Sequence, residues 1–157
     1  LNSEIALRIR TNESFHLIDD NRPVICIGNG TGLAGLMSLL HARTRQDYTQ
    51  NWLIFGERQR EHDFFYQSTI EAWQTTGMLQ RLDLAFSRDQ EEKVYVHHKL
   101  REQAQQLKAW VDHGAVIYVC GSINGMASDV DQALIDILGE AAVDQLRQEG
   151  RYRRDVY

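Results

Sequence analysis

A cluster of glycines follows the first long apolar run of the chain and is suited to hold a phosphate. In the stretch CIGNGTGLAGL, residues 26–36, Gly28, Gly30 and Gly32 separate a strand-like run from a helix-like one. Glycines let backbone N–H groups approach an anion, the amino end of a helix favours negative charge, and Thr31 adds a hydroxyl donor. The alternative is a tight turn that joins strand to helix and binds nothing.

The spacing of these glycines excludes two better-known phosphate-binding turns. The dinucleotide fingerprint G-x-G-x-x-G needs a glycine at position 33, where Leu33 stands. The P-loop needs a lysine after its last glycine, and leucine follows both Gly32 and Gly35. The turn therefore has a phosphate-binding composition with a different spacing.

A second group of polar side chains follows the third strand-like run, in FSRDQEEKVY. Ser87, Arg88 and Lys93 combine a hydroxyl, a guanidinium and an ammonium group, which suit a phosphate dianion, and Tyr95 can stack on a flat base. The alternative is a solvated surface loop, which the nearby acids support; these are Asp89, Glu91 and Glu92.

The two cysteines and the histidines give weaker signals. Cys120 ends the most apolar run, AVIYVCG, and taken alone it is a small buried hydrophobe, because no His or Lys near it in the sequence would make it a nucleophilic thiolate. Cys26 is expected in the core. His97 and His98 are adjacent on what we take to be a strand, so their rings should diverge, and we predict no metal site.

Strand-like and helix-like runs alternate from Pro23 onward. The predicted strands are PVICIG, NWLIFG, LQRLDLAFS (Leu79–Phe86), AVIYVCG and RRDVY. The predicted helices are GLAGLMSLLHARTR, DFFYQSTIEAWQTTG from Asp63, KLREQAQQLKAWVDHG, and GMASDVDQALIDILGEAAVDQLRQEG, the last broken at Gly139. This alternation predicts an α/β fold, a doubly wound five-stranded parallel sheet with helices on both faces.

Composition sets the broad class of the protein. The chain has 157 residues, 43% of them hydrophobic and 25% charged, as expected for one globular domain. A net charge of −5 argues against a nucleic-acid-binding surface. Two cysteines are too few for a disulfide framework, and we see neither a membrane span nor a secretory signal. We therefore expect a cytoplasmic domain without membrane contact.

Five motifs in order resemble those of the ferredoxin–NADP reductase superfamily, and several match its diflavin branch. They are GNGTGLAGLMSLL, IFGERQREHDFFY, AFSRDQEEKVYVHHKLRE, YVCGSINGMASDV and the terminal RYRRDVY. Together they cover roughly Pro23 to Tyr157. The sequence departs from the family pattern at Gly35, where proline is usual, at His97, where the branch has glutamine, and at Ser122, where it often has aspartate.

The resemblance implies NADP(H) as the cofactor and a strand order of 3-2-1-4-5. Ser87, Arg88, Lys93 and Tyr95 then hold the 2′-phosphate and adenine. Cys120 and Asp155 would lie at the nicotinamide, and Tyr157 would cover the flavin of FAD until nicotinamide displaces it; the alternative for Tyr157 is a frayed end. The residues implied to contact the rest of the cofactor are Gly30, Thr31, Gly32, Gly121, Met126 and Asp129.

The resemblance also implies a partner domain. In this family FAD binds to a β-barrel that precedes the nucleotide domain, and residues 1–22 are expected to be its last strand or a connector, with 23–157 as the NADP(H)-binding domain. Electrons would pass from FAD to FMN, a flavodoxin-like domain or another carrier. Two alternatives are a non-catalytic nucleotide-binding or regulatory module, and an unrelated doubly wound hydrolase or transferase, for which the sequence offers no convincing Ser/His/Asp set.

Overall fold

The computed structural model of the chain describes residues 21–29, 32–57, 67–86, 96–121 and 126–156. Within these ranges five parallel strands form one sheet in the order β3-β2-β1-β4-β5. The strands are β1 (Val24–Asn29), β2 (Asn51–Glu57), β3 (Arg81–Phe86), β4 (Val116–Gly121) and β5 (Tyr152–Val156). The predicted fold class and strand order are confirmed.

Helices cover both faces of the sheet. They are α1 (Gly32–Arg45), α2 (Gln67–Thr76), α3 (Val96–Glu102), α4 (Ala104–Asp112), α5 (Ser128–Leu138) and α6 (Glu140–Gln148). Buried side chains of α1 and α2 pack on one face with Cys26, Phe55 and Tyr118. Buried side chains of α3, α4, α5 and α6 pack on the other.

The central strands show why the sheet is parallel. All six residues of β4 are buried, as are the first five of β1, so both faces of these strands are covered. A continuous apolar run, rather than an alternating one, fits a strand with helices on either side. The apolar runs that predicted β1 and β4 are therefore the buried centre of the fold.

Several helix and strand boundaries differ from the sequence prediction. The helix expected from Lys99 begins three residues earlier, at Val96, and is divided at Gln103 into α3 and α4. The third strand begins at Arg81 rather than Leu79. The predicted break at Gly139 is confirmed, since this glycine has φ of 97° between α5 and α6.

Strand order reverses between β1 and β4, and this reversal positions the candidate site. The chain leaves β1 toward α1 on one face, and it leaves β4 toward α5 on the opposite face. A crevice therefore opens at the carboxyl ends of these two strands, which is where ligands bind in open α/β sheets.

Candidate functional site

The crevice lies beside the glycine turn. Strand β1 ends at Gly28 and Asn29, and α1 begins at Gly32. The amino end of this fourteen-residue helix therefore faces the carboxyl edge of the sheet, an arrangement that attracts an anion. Gly30 and Thr31 lie outside the described residues.

A row of three residues crosses the sheet at this edge. Gly28 of β1 is the register partner of Cys120 in β4, and Cys120 is the register partner of Asp155 in β5. Register partners on parallel strands are about 4.8 Å apart and point to the same face. Cys120 and Asp155, which are 35 residues apart in the sequence, are thus brought together on neighbouring strands.

Gly121 ends β4 where a side chain has no room. Its φ is 150°, and a Cβ built there would lie 2.6 Å from the Met126 methyl and even closer to the Asn29 carboxamide oxygen. The backbone of β4 therefore approaches the end of β1 closely, with Met126 against it. The predicted site residues Gly121 and Met126 lie together, and the side chain of Asn29, which the sequence analysis did not select, reaches from the end of β1 to the end of β4.

The Cys120 side chain packs against α1. It is 4% exposed, and a Cβ built at Gly35 would lie 3.1 Å from its Sγ. Cys26 points to the same face from β1, where it lies two residues before Gly28, the register partner of Cys120. It is fully buried, and this burial raises the pKa of its thiol to about 12. The predicted core position of Cys26 is confirmed.

Asp129 lies in the first turn of α5 and faces helix α3. Its carboxylate is 3.8 Å from His97 Nε2, so helix α3, which follows β3, meets helix α5, which follows β4. The prediction that His97 and His98 lie on a strand with diverging rings is wrong. Both lie in α3, and their ring centroids are 4.1 Å apart. The helix begins at Val96, three residues before Lys99, where the apolar spacing had predicted its start.

Contacts with α5 and α6 hold the edge strand β5, which carries Asp155. The Tyr152 hydroxyl donates to Asp131 Oδ1 at 2.8 Å, and Arg147 Nη2 donates to the same oxygen at 2.5 Å. The Arg147 guanidinium also lies over the Tyr152 ring, 5.0 Å from its centroid. Burial and the Asp131 contact raise the pKa of Tyr152 to about 12, so its hydroxyl keeps the proton that it donates.

The residues predicted for the 2′-phosphate and adenine lie outside the described residues. These are Ser87, Arg88, Lys93 and Tyr95, and the same holds for Tyr157 at the end of the chain. The described structure fixes only the flanks of the first group. Strand β3 ends at Phe86 and α3 begins at Val96, so the segment between them leaves from the same carboxyl edge as the crevice.

Comparison with known protein families identifies this fold. Residues 26–132 match a family model described as the oxidoreductase NAD-binding domain. The chain belongs to this family. The match begins within β1 and ends within α5 of this NAD-binding domain, so it includes the crevice between β1 and β4.

Curated relatives of the NAD-binding domain agree with the motifs quoted above. It is 44% identical over 161 residues to the sulfite reductase (NADPH) flavoprotein alpha-component of Vibrio cholerae, covering 95% of this chain and 26% of the relative. The protein of that name from Neisseria meningitidis is 43% identical, with 95% and 27% covered. That from Enterobacter sp. is 42% identical, with 98% and 28% covered.

These relatives confirm the resemblance and its subgroup. The motifs resemble those of the flavoprotein component of NADPH–sulfite reductase, in the diflavin branch of the ferredoxin–NADP reductase superfamily. The NAD-binding domain spans only about a quarter of the length of each relative quoted, so its relatives have further domains. Among the described helices, none combines the length and apolarity that crossing a bilayer requires.

Proposed function

We propose that this domain binds NADPH and presents its hydride to FAD held by an adjacent domain of the same parent chain. The observation that carries the proposal is the row of Gly28, Cys120 and Asp155 at the reversal point of the sheet. The relatives named as NADPH-dependent flavoproteins support the same function. In this proposal residues 23–157 are the nucleotide domain and 1–22 connect it to the FAD domain.

The glycine turn is proposed to hold the pyrophosphate. Gly30, Thr31 and Gly32 lie between β1 and the amino end of α1, where backbone donors and the helix dipole favour phosphate. Gly121, which has no space for a Cβ, keeps the end of β4 close to the end of β1, where this turn starts. Met126, which lies against Gly121, and Asp129, in the first turn of α5, are proposed to border the crevice.

Selection of NADPH over NADH is proposed to come from the segment after β3. Ser87, Arg88 and Lys93 offer one neutral and two cationic donors to a 2′-phosphate, and Tyr95 offers a ring to adenine. An NAD-selecting site tends to place an acid at the end of its selecting strand, whereas this strand ends at Phe86 and is followed by Ser87 and Arg88.

The hydride-transfer end of the site is proposed to lie at Cys120 and Asp155. Bound NADPH supplies a hydride from its nicotinamide ring, and the ring gains positive charge as the hydride leaves. The Cys120 side chain, fixed between the strand and α1, provides a surface that orients this ring. Asp155, the register partner of Cys120, provides a carboxylate beside the developing charge. Tyr157, two residues on, is proposed to cover the flavin until nicotinamide takes its place.

The proposed partner domains complete the electron path. The FAD domain accepts the hydride, and FMN, a flavodoxin-like domain or another carrier accepts the electrons. Reduced thiols at Cys26 and Cys120 fit a reducing compartment, and we propose the cytoplasm.

Anaerobic mixing of the FAD-loaded parent protein with NADPH tests the function. We expect loss of the oxidised flavin absorbance, and we expect Cys120→Ala to slow this step by about tenfold or more, because an unoriented ring rarely reaches the transfer geometry. Cys26→Ala is the matched control, since Cys26 is a buried thiol on the same face but lies farther from the strand ends. NADPH binding without flavin reduction would instead identify a non-catalytic nucleotide-binding module.

A further inference from the structure

Two polar side chains are fully buried at the amino ends of the strands, the end of the sheet opposite the candidate site. Arg43, in the last turn of α1, and Asn51, the first residue of β2, are each 0% exposed. Among the described residues, these two make up the buried polar or charged side chains. Burying a guanidinium is unfavourable unless its N–H groups are bonded, so its contacts indicate what it is there to hold.

Arg43 joins the end of a helix to the chain that enters the domain. Its Nε donates to Asn51 Oδ1 at 2.5 Å, and its Nη2 donates to the backbone carbonyl of Arg22 at 2.9 Å. The guanidinium lies 5.3 Å from the ring centroid of Tyr48. Arg22 comes two residues before β1, so this contact fixes the entry of the chain into the sheet.

Asn51 makes the Arg43 contact rigid. Its Nδ2 donates to the carbonyls of Tyr48, at 2.8 Å, and Met78, at 2.7 Å. Its side-chain oxygen accepts from Arg43 at the same time. The pair therefore ties four parts of the chain together: the entry at Arg22, the end of α1, the start of β2 and the loop before β3.

The residues around Arg22 are held by further bonds. Gln50 Nε2 donates to the Asn21 carbonyl at 3.0 Å, and Gln50 accepts from the Val24 amide at 2.9 Å through its own carbonyl. The Pro23 carbonyl accepts from the Val116 amide at 3.0 Å. Every residue from Asn21 to Val24 is thus bonded to Gln50, to α1 or to β4.

We propose that Arg43, Asn51 and Gln50 form an entry anchor that fixes the direction in which the preceding part of the chain joins the nucleotide domain. In the parent protein this anchor would hold the carboxyl edge of the sheet in the orientation that hydride transfer to FAD needs, and this part of the inference rests on the proposed function. Arg43, Asn51 and Gln50 are positioning residues, because they lie at the opposite edge from Cys120 and Asp155.

The length of β1 shows why the entry direction matters. A strand of six residues spans about 20 Å. A tilt of about 10° at its start therefore moves its carboxyl end by about 3 Å, and a misplacement of about 1 Å is enough to slow a transfer step by about a hundredfold. A flexible entry would leave nucleotide binding intact and reduce the fraction of time spent in the transfer geometry.

The FAD-loaded parent protein with Arg43→Met tests the anchor. Methionine keeps the apolar stem and removes the donors to Asn51 and Arg22. Arg151→Met is the matched control, because Arg151 also donates to two backbone carbonyls, those of Ala115 and Val111, and precedes a strand, but it does not touch the entry segment. The readouts are NADP⁺ affinity, the rate of flavin reduction by NADPH, and amide hydrogen exchange over residues 21–24.

We expect Arg43→Met to slow flavin reduction by about tenfold or more, to speed exchange at residues 21–24, and to leave NADP⁺ affinity unchanged. Arg151→Met should leave all three near the wild-type values. Equal effects of the two substitutions on flavin reduction, or a loss of NADP⁺ affinity in Arg43→Met, would overturn the positioning role. If Arg43→Met does not fold, Gln50→Ala decides: slower flavin reduction supports the anchor, and an unchanged rate overturns it.

Failure of the proposed function gives a different result. If NADPH does not reduce the flavin of the wild-type parent, the proposed function is wrong and so is the role in hydride transfer. The exchange measurement then decides whether the anchor itself exists. Faster exchange in Arg43→Met than in Arg151→Met supports it, and equal exchange overturns it.

Discussion

At the scale of single residues, Gly35 lies close to the Cys120 thiol. The family pattern usually has proline at this position, and here a Cβ added to Gly35 would lie 3.1 Å from Cys120 Sγ. A contact this short forces either the thiol or α1 to move by a few tenths of an ångström. A side chain at position 35 would therefore crowd the buried Cys120 thiol.

Gly35→Ala should make Cys120 more reactive toward iodoacetamide, because the added methyl group pushes the thiol away from α1 and toward the strand edge. Cys26 gives little background, since burial raises its pKa to about 12 and the thiolate is the reactive form. Ser38→Ala, an exposed change on the same helix, is the control. Peptide mass spectrometry measures alkylation at each cysteine. Equal rates of Cys120 alkylation in the wild type, Gly35→Ala and Ser38→Ala would contradict this account.

At the scale of elements, α3 and α5 meet through His97 and Asp129. Burial, and then the adjacent His98, lowers the pKa of His97 below its usual 6.5; Asp129 opposes the shift, and Arg101 adds a smaller lowering. A lowered pKa in the folded state means that protonation favours unfolding. This destabilising effect is absent when the pH is above the pKa of His97 in the unfolded chain, about 6.5. It grows as the pH falls from there toward the lower pKa of His97 in the folded protein.

His97→Gln, which restores the residue usual in the branch, should reduce the loss of stability on acidification. Asp129→Asn should increase the loss, because it removes the carboxylate that favours protonated His97. Urea denaturation at about pH 8 and about pH 5.5 measures the change in free energy of unfolding for each protein. The expected order of acid sensitivity is Asp129→Asn, wild type, His97→Gln; equal sensitivity in all three would contradict the account.

Strand β5 depends on its bond to α5. Tyr152→Phe removes the hydroxyl that donates to Asp131 and keeps the buried ring. Because Asp131 still accepts from Arg147, it is not left unbonded, and the expected loss is about 1 kcal/mol of unfolding free energy. Urea denaturation at neutral pH checks this value, and an unchanged midpoint would show that the hydroxyl contributes nothing to holding the strand.

The elements also show how far the sequence could predict the structure. Continuous apolar runs located β1, β2 and β4, because central parallel strands are covered on both faces. The start of α3 was missed because Val96 is the only apolar residue in VHHK. The next apolar residue is Leu100, and a single pair four residues apart is too short a pattern to predict a helix. Arg43 and Asn51 were missed for another reason: a charged residue in a last helical turn looks exposed, and only the three-dimensional contacts show that it is buried.

At the scale of the whole molecule, the sheet brings distant motifs to one edge. The row from Gly28 to Cys120 to Asp155 follows from the strand order, which the family resemblance implied and the structure confirms, and from the register, which only the structure gives. The entry anchor lies at the opposite edge. Spacing along the chain could not predict the contacts of the entry anchor, because Arg22, Arg43 and Asn51 meet only in the folded chain.

The central claim is that this domain selects NADPH through the segment after β3. Isothermal titration of the flavin-loaded parent protein with NADP⁺ and with NAD⁺ tests it most directly, because the oxidised nucleotides bind without turnover. We predict that NADP⁺ binds at least about tenfold more tightly, as one charged hydrogen bond to the 2′-phosphate contributes about 1.5–3 kcal/mol. Arg88→Ala should remove most of this difference while leaving NAD⁺ binding unchanged. Equal affinities of the wild-type protein for NADP⁺ and NAD⁺ would contradict the account.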